Sequence, residues 1–233
     1  MLGWFKMTSE TSIEDIEWLL ARASGYDAGY AFVASLESIE KNGNSDKILE
    51  LIGDWEKLRL GGVFTEKQKE LFRDVKKEFT IQKITEKEWN LFEINAEVFT
   101  HKKTDKQPGE PQFSLFKFKN SGNDQTLNFI LTAVDGDASE IVMEINNYKE
   151  IKLPVVLNKG QSIKYTGGNR AAVYDANWQL IREFDIIPAD FKINKGEISV
   201  SFDCRFSKED KNSNIKLEFR TSGKGKYITW KIC

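Results

Sequence analysis

The stretch that decides the fold reads Ile198-Ser199-Val200-Ser201-Phe202-Asp203-Cys204-Arg205-Phe206, in which five apolar side chains alternate with four polar ones. Successive side chains of a β-strand point to opposite faces of the sheet, so this alternation indicates one face in a core and the other in water. The stretch therefore predicts one strand of a half-buried sheet.

The same period of two recurs from about Phe79 onwards, and turn residues interrupt it about every ten residues. Gly167-Gly168 and Gly223-Lys224-Gly225 lie between predicted strands, which indicates hairpin turns rather than phosphate-binding loops. Eight or more short strands at this spacing predict an all-β jelly-roll sandwich over residues 79–233. Besides the opening stretch, the strand-like segments are residues 113–118, 127–134, 141–145, 163–165, 171–174, 215–219 and 227–232.

Residues 1–78 follow a helical period instead. The first helix is predicted to begin at two overlapping capping boxes in residues 11–15 and to end at Gly25. A second helix is predicted from about Ser45 to Gly61-Gly62. A third is predicted from Thr65, whose capping-box partner is Gln68, with an apolar stripe of Leu71, Phe72 and Val75.

Two short segments of this region predict strands. Residues 1–7 read as a strand, and residues 28–35 form an apolar run that is typical of a strand covered on both faces in a parallel sheet. The predicted order is strand, helix, strand, helix, helix, and these elements amount to about a quarter of a (β/α)₈ barrel. Two parallel strands with free edges are not a stable sheet. The region is therefore expected either to dock onto the sandwich or to complete a sheet whose other strands lie in a missing N-terminal region or another chain.

The composition excludes some classes of protein. With 34 basic and 36 acidic residues the formal net charge is −2, which argues against a nucleic-acid module, whose binding face is basic. No stretch approaches the roughly 20 apolar residues that span a bilayer. Residues 1–7 lack the features of a secretory signal, and the sequence leaves the cellular compartment open.

Histidine and cysteine are scarce, which restricts the available chemistry. His101 is the single histidine, and Cys204 and Cys233 are the only thiols, so no Cys/His zinc site is expected. No cofactor is expected either. Any Ser-His-Asp or Cys-His mechanism would have to use His101. This residue lies in the polar run of residues 100–106, which predicts an exposed loop. The two cysteines could pair only if the fold brings them together.

A pattern of strand, helix and strand runs through Leu2-Gly3-Trp4-Phe5, residues 14–23 and residues 25–31. It looks like the last βα units of a bacterial TIM-barrel glycoside hydrolase, and residues 55–59 and 64–68 are similar to the closing helices. In the second region, residues 167–175 and 217–223 resemble galactose-binding-like jelly rolls, a kind of β-domain often appended to such barrels. No diagnostic catalytic motif accompanies the pattern.

This resemblance implies a fold and a ligand class. The fold is a TIM-barrel-like α/β segment of partial βα units over residues 1–78, followed by the jelly-roll sandwich over residues 79–233. The ligand class is carbohydrate. The resemblance also implies an exported protein, and it implies that about six barrel strands, with the catalytic carboxylates, lie outside this chain.

The first candidate residues for sugar contact lie at the ends of the two predicted parallel strands. Trp4 and Lys6 occupy the C-terminal end of the first strand, and Ser35 and Glu37 follow the second. Barrel enzymes bind substrate at this face. A solvated loop is the alternative interpretation. Asp27 lies before the second strand, and a structural capping role is predicted for it.

The second group of candidates is Tyr174, Asp175, Asn177 and Trp178. Sugars stack their apolar faces on aromatic rings, and carboxylate and amide groups bind their hydroxyls. The alternative is a hairpin turn whose Tyr and Trp pack on the sandwich. Catalytic residues are not identified, because 36 acidic residues offer too many possible pairs.

Three functions follow from these observations. The first is carbohydrate recognition or structural support beside a glycosidase barrel, without autonomous catalysis. The second is a glycosidase that a missing N-terminal barrel portion or a partner chain completes. The third is a protein-interaction module in which the sandwich presents an edge strand or a loop surface.

Overall fold

The computed structural model describes residues 1–103, 113–207 and 212–230. A short α/β region comes first, and a mostly antiparallel β region follows, which confirms the predicted order of fold classes at this level. The described residues group into two units. The first is drawn from Met1–Asn95, Asn177–Gln179 and Ser222–Cys233, and the second from Ala96–Ala176 and Leu180–Thr221. The domain boundary predicted at residue 78 stays a prediction.

The α/β region contains two short strands and four helices among the described residues. Their order is strand, helix, strand and then three helices, which is one helix more than the sequence predicts. The bounds are β1 (Trp4–Lys6), α1 (Ile13–Tyr26), β2 (Ala31–Val33), α2 (Leu36–Lys41), α3 (Ser45–Leu60) and α4 (Glu66–Arg73).

Side-chain caps set where α1 and α4 begin, as the sequence predicts. Ser12 Oγ accepts the Asp15 N–H at 3.0 Å, and the Asp15 carboxylate accepts the Ser12 N–H at 3.0 Å. Thr65 and Gln68 form the same reciprocal pair. Each pair satisfies backbone donors that a helix leaves without an internal partner. Asp27 ends α1 in the left-handed conformation, with φ of 45°, which agrees with its predicted capping role.

The strands β1 and β2 form a two-stranded parallel sheet with Phe5 opposite Phe32. These two side chains pack against a core, whereas Trp4 is 77 % exposed and Val33 is 43 % exposed. The prediction that the second strand is covered on both faces is therefore wrong. Within the described part of the chain, the core covers only the face that carries the phenylalanines.

Two helix predictions also need correction. The helix α2 was not expected, because its six residues include no buried side chain and so carry no apolar stripe. Ser35 caps it. The helix α4 ends at Arg73, so Val75 lies beyond the helix and is exposed.

The first unit has its own core, which combines helices with strands. α1, α3 and α4 contribute to it together with β3 (Glu78–Thr85), the first half of β4 (Glu88–Lys102) and β16 (Lys226–Thr229). The strand β4 pairs antiparallel with both β3 and β16. The buried members are Met7, Ile16, Leu20, Ala21, Ile48, Leu51, Trp55, Leu58, Phe64, Phe72, Phe79, Ile81, Trp89, Leu91 and Ile228.

Strands make up most of the second unit. The smaller sheet has the order β5-β14-β8-β9, and the larger sheet runs β12-β11-β10-β7-β15 and continues into β4. β6 and β13 form a separate pair. The bounds are β5 (Ser114–Asn120), β6 (Gln125–Thr126), β7 (Asn128–Asp135), β8 (Ala138–Ile145), β9 (Glu150–Leu153), β10 (Ser162–Tyr165), β11 (Arg170–Tyr174), β12 (Leu180–Asp185), β13 (Lys192–Ile193), β14 (Gly196–Phe206) and β15 (Asn214–Ser222).

One core joins the two sheets of this unit. In β14, Ile198, Val200 and Phe202 are buried in it, and Phe129 and Leu217 join them from the larger sheet. The period of two in the opening stretch of sequence is therefore confirmed as a strand with one buried face. The β region includes a sheet that is curled like half of a barrel. The jelly-roll connectivity stays a prediction.

Two local predictions in the β region are wrong. His101 does not lie in an exposed loop but near the end of β4, where it is 3 % exposed, because the strand continues into the polar run. Residues 104–106 of that run lie outside the described residues. Gly223–Gly225 is not a hairpin, because β16 pairs with β4 and not with β15. Gly167-Gly168 does join an antiparallel pair, β10 and β11. Cys233 lies outside the described residues, so the structure does not test whether the two cysteines pair. The end of the predicted strand 227–232 also lies outside the described residues.

None of the helices in the described ranges is long and apolar enough to cross a bilayer.

Candidate functional site

A cleft of about 730 Å³ lies on the smaller sheet of the second unit. Small-ligand sites commonly have volumes of about 300–1,000 Å³. Three strands, β8, β9 and β14, supply most of the lining, and Phe113 borders the cleft just before β5. The lining residues are Phe113, Glu140, Ile141, Val142, Glu144, Glu150, Lys152, Leu153, Ser201, Asp203, Cys204 and Arg205.

Strand alternation decides which side chains face the cleft. In β8, Met143 and Ile145 are buried in the core. Val142 and Glu144 therefore point away from the core, because neighbouring side chains of a strand lie on opposite faces. In β14, Val200 and Phe202 are buried, so Ser201 between them also points away from the core. The cleft is thus the outer face of the smaller sheet.

The hydrogen-bonded ladder arranges these side chains in rows. Glu144 is directly opposite Ser201 on one side and Glu150 on the other. In the next row, Val142 is directly opposite Asp203 and Lys152. Carboxylates, a hydroxyl and an ammonium group therefore surround an apolar side chain at the centre of the face.

An irregularity in the ladder shapes one end of the cleft. The register between β14 and β8 shifts between Asp203 and Arg205. Opposite this point, Glu140 has a φ of 49°, a left-handed conformation that is uncommon for a residue with a side chain. Such bulges redirect side chains and are frequent beside binding sites. Here the bulge brings Arg205 Nη1 within 2.7 Å of Glu140 Oε1.

The cleft carries an excess of negative charge. Its four carboxylates are Glu140, Glu144, Glu150 and Asp203, against the two cations Lys152 and Arg205. Arg205 pairs with Glu140, and Lys152 Nζ lies 3.1 Å from Glu150 Oε1. These four side chains are largely exposed, so each ion pair contributes little to stability and can rearrange around a ligand.

His101 lies beside the cleft but inside the protein. Its Nδ1 is 2.8 Å from Ser114 Oγ, and its ring stacks on Phe206 with 5.5 Å between the ring centroids. Its Nε2 is 3.9 Å from Asp203 Oδ1, which is longer than a hydrogen bond. A Ser-His-Asp relay needs hydrogen bonds on both ring nitrogens, so this spacing does not make one.

Cys204 is not an activated nucleophile. Burial, with a smaller effect of the neighbouring Asp203 carboxylate, raises the pKa of its thiol to about 12. The thiolate is the reactive form of cysteine, and it is scarce at neutral pH when the pKa is this high. Among the described residues, no group of three or more His, Cys, Asp or Glu side chains is arranged to hold a metal ion.

The candidates Trp4, Lys6, Ser35 and Glu37 lie in the first unit. Trp4 and Lys6 are exposed on β1, and Lys6 pairs in register with Val33 at the end of β2. Ser35 caps α2 by accepting the Ser38 N–H at 3.1 Å, and Glu37 pairs with Lys41 at 2.6 Å. The structure therefore gives Ser35 a local helical role. The role of these four residues in sugar contact stays a prediction.

The second group of candidates divides between the two units. Tyr174 ends β11 and Asp175 follows it in the second unit, whereas Asn177 and Trp178 belong to the first. Trp178 has a φ of 60°, and its Nε1 donates to the Glu10 carbonyl at 2.9 Å. The strands β11 and β12 pair antiparallel, so the hairpin predicted here is present. The sugar-binding role of these residues stays a prediction.

The carboxylates and Lys152 of the cleft were not identified from the sequence. A local signal exists, because Glu140, Val142 and Glu144 alternate with buried residues. Sequence order does not show that β8 lies between β14 and β9. The non-local pairing of β8 with β14 is what brings Asp203 to the same face as Glu144, whereas Glu150 lies opposite Glu144 in the antiparallel pair of the consecutive strands β8 and β9.

No protein family and no curated protein sequence matches the chain. Among solved structures, it is similar to the isomalto-dextranase of Arthrobacter globiformis T6 complexed with panose, at 9 % identity and a TM-score of 0.22. The similarity covers 92 % of this chain and 49 % of that one, so the chain spans about half the length of that protein. A TM-score this low supports no functional argument.

Proposed function

We propose that the chain is a carbohydrate-binding accessory region of a glycoside hydrolase-like protein, that its second unit is a jelly roll, and that it has no autonomous catalysis. One observation carries the proposal: an open cleft of about 730 Å³ in which acidic, basic and apolar side chains share one sheet face. The resemblance of the sequence to barrel ends with appended β-domains favours the same ligand class.

The lining suits the chemistry of a sugar. Carboxylates accept hydrogen bonds from sugar hydroxyls, while Lys152 and Arg205 donate to sugar oxygens. Phe113 is 46 % exposed, and its ring offers an apolar surface to the C–H face of a sugar ring. Val142 adds a second apolar contact at the centre of the cleft.

A glycan array probed with the full chain tests the proposal, followed by titration of the bound glycan. We expect Phe113→Ala and Glu144→Gln each to weaken binding at least about tenfold, since each removes a stacking surface or a charged acceptor. Glu197→Gln is the matched control, because Glu197 is an exposed glutamate on β14, one of the strands that form the cleft, but does not itself line the cleft.

Trp178→Ala separates the cleft from the second group of candidates. If binding survives Phe113→Ala and Glu144→Gln but is lost in Trp178→Ala, the sugar site is at the hairpin and the cleft assignment is wrong. If the array detects no glycan at all, carbohydrate recognition itself is wrong.

The second candidate function is a glycosidase that a missing N-terminal barrel portion or a partner chain completes. The observation that favours it is the two-stranded sheet of β1 and β2, in which Trp4 and Val33 leave apolar surface exposed, as does Leu36 at the start of α2. Parallel sheets are normally covered on both faces. Sedimentation of the full chain should then show association that Trp4→Ser abolishes and Tyr148→Ser, at another exposed aromatic residue, leaves intact.

A further inference from the structure

The sheet of β1 and β2 leaves the outer edge of β1 without a neighbouring strand among the described residues. Alternate residues of a strand direct their backbone N–H and C=O groups to opposite edges. The Gly3 carbonyl accepts a hydrogen bond from β2 at 3.0 Å, and the Met7 N–H donates one to β2 at 3.0 Å. Trp4 and Lys6 occupy the alternate positions of β1, so their N–H and C=O groups lie on the outer edge.

The outer edge of β2 offers fewer backbone groups. The Ala31 N–H donates to β1 and the Val33 carbonyl accepts from β1, each at 3.0 Å, so both residues point inwards. Of the three residues of β2, Phe32 alone directs its N–H and C=O groups outwards. A row of unpaired backbone groups is a template for a strand of another chain, and β1 presents the longer row.

The exposed face of this sheet adds apolar surface beside that edge. Trp4 is 77 % exposed and Val33 is 43 % exposed on this face, although parallel sheets are normally covered on both faces. Lys6 lies on the same face, in register with Val33. None of the described side chains forms an ion pair with Lys6. Exposed apolar surface of this kind marks an interaction site, and here it includes a cation.

We propose that a second copy of this chain pairs antiparallel with the outer edge of β1, about a two-fold axis at Phe5, so that Trp4 lies directly opposite Lys6 of the copy. The two-fold axis of such a pair is perpendicular to the sheet, so the residues on either side of the axial residue face each other. The proposal does not rest on carbohydrate binding. It names a second copy, rather than a missing barrel portion, as the occupant of this edge.

This register suits both the backbone and the side chains. Directly opposite residues of a hydrogen-bonded antiparallel pair exchange two N–H···O bonds, so the two pairs of Trp4 with Lys6 form four hydrogen bonds between the copies. The Lys6 ammonium group reaches the face of the opposite Trp4 ring, and this cation–π attraction occurs twice because the interface is symmetric. The paired copies form one four-stranded sheet in the order β2-β1-β1-β2.

The neighbouring registers lack this complementarity. A pair centred on Lys6 would place two ammonium groups opposite each other, which is unfavourable. A pair centred on Trp4 would place Lys6 opposite Leu2. The Leu2 N–H donates to the Gly29 carbonyl at 2.8 Å, on the side of β2, so it does not point to the copy. The register centred on Phe5 is therefore the one that we expect.

Cross-linking tests this register. Full-length Trp4→Cys and Lys6→Cys chains are mixed under air, and disulfides are located by peptide mass spectrometry. We expect the two introduced cysteines to cross-link, since opposite Cα atoms lie about 5.5 Å apart, within the range of a disulfide. The mixture also keeps one intact pair of Trp4 with Lys6, whereas neither variant alone should cross-link through its introduced cysteine. A mixture of Tyr148→Cys with Lys6→Cys is the control, because Tyr148 is 85 % exposed but lies far from β1 in the chain.

Sedimentation of the full chain measures the strength of the association. Lys6→Glu should weaken it about fivefold or more, because both cation–π attractions are lost. Lys6→Arg keeps the cation and should stay within about twofold of the original chain. Lys6 is exposed, so neither substitution should change the melting temperature.

Each contrary result overturns the proposal. One is a full chain that sediments as a monomer up to its solubility limit. Another is a dimer that Lys6→Glu does not weaken, because its interface lies elsewhere. A third is cross-linking of Trp4→Cys alone as efficiently as in the mixture, because the strands then pair in a different register. Glycan binding is measured separately on the array, so none of these results decides the proposed carbohydrate function.

Discussion

At the residue scale, Glu17 is the carboxyl group in the most unusual surroundings of the first unit. It is buried in the core, where its Oε1 accepts the Ile81 N–H at 3.0 Å and the Trp55 Nε1–H at 3.3 Å. Burial raises the pKa of Glu17 to about 7 despite these hydrogen bonds, since the charged form loses its hydration. The residue connects α1 to β3 and α3.

This raised pKa predicts a pH dependence of stability. Between its ordinary pKa of 4.5 and its folded pKa of about 7, the folded chain holds a proton that the unfolded chain has lost. The contribution of Glu17 to the free energy of unfolding is therefore fully present below about pH 4.5, decreases as the pH rises, and is lost above about pH 7. The total decrease is about 3 kcal/mol. Urea unfolding at several pH values should show this decrease.

Glu17→Gln isolates the contribution. The amide oxygen can still accept the backbone hydrogen bond but does not ionise, so the variant should lose most of the decrease between pH 5 and 8. Glu10→Gln, at an exposed position in the same unit, should keep it. An unchanged pH profile in Glu17→Gln would show that this carboxyl titrates normally.

At the element scale, the contact between α1 and α4 depends on the absence of a side chain at Gly25. A Cβ atom there would lie 2.9 Å from Phe72 Cβ and 3.0 Å from the Lys69 carbonyl oxygen. Real Cβ atoms do not approach this closely, so the two helices would have to separate. Arg73 Nε also donates to the Gly25 carbonyl at 2.7 Å, a bond that such a shift would lengthen.

Gly25→Ala should therefore destabilise the chain by about 1–3 kcal/mol, the usual result of overpacking. Gly53→Ala is the matched control. A Cβ atom at Gly53 meets no atom within 4 Å, and alanine favours the interior of α3, so the control should gain up to about 1 kcal/mol. Equal effects of the two substitutions in urea unfolding would contradict the close contact.

The helices show which elements can be predicted from a local sequence pattern. The starts of α1 and α4 could be predicted because Ser12 with Asp15 and Thr65 with Gln68 are capping boxes within four residues of sequence. α2 could not, because its six residues bury no side chain. Among the strands, β14 was predicted from its alternation.

At the scale of the whole molecule, the core of the first unit does not end with the helices. Phe79, Ile81, Trp89, Leu91 and Ile228 are buried in it beside Ile16 and Trp55. A fragment of residues 1–78 would lack all five. Removing one large apolar side chain from a core lowers the free energy of unfolding by about 2–5 kcal/mol. Two such losses together exceed half of the free energy of unfolding of a typical domain.

We therefore expect a fragment of residues 1–78 not to fold cooperatively, as measured by circular dichroism during thermal unfolding, while the full chain does. Folding of the full chain under the same conditions is the control. A cooperative transition in the fragment would instead support the predicted domain boundary at residue 78.

Some properties of this protein follow from the sequence by itself. The change from a helical period to a period of two, the caps of Ser12 and Thr65 and the buried face of β14 are local patterns, and neighbouring residues determine them. They predict the α/β region, the β region and their order in the chain.

Only the tertiary structure decided which distant residues meet. The pairing of β8 with β14 joins strands that are far apart in the chain, so the sequence does not reveal that Asp203 lies on the same sheet face as Glu144 and Glu150. The polar run around His101 likewise predicts a loop, whereas packing between the two sheets buries the ring against Phe202 and Phe206 of β14. Periodicity determines which face of a strand is buried, but packing determines which strands share a face.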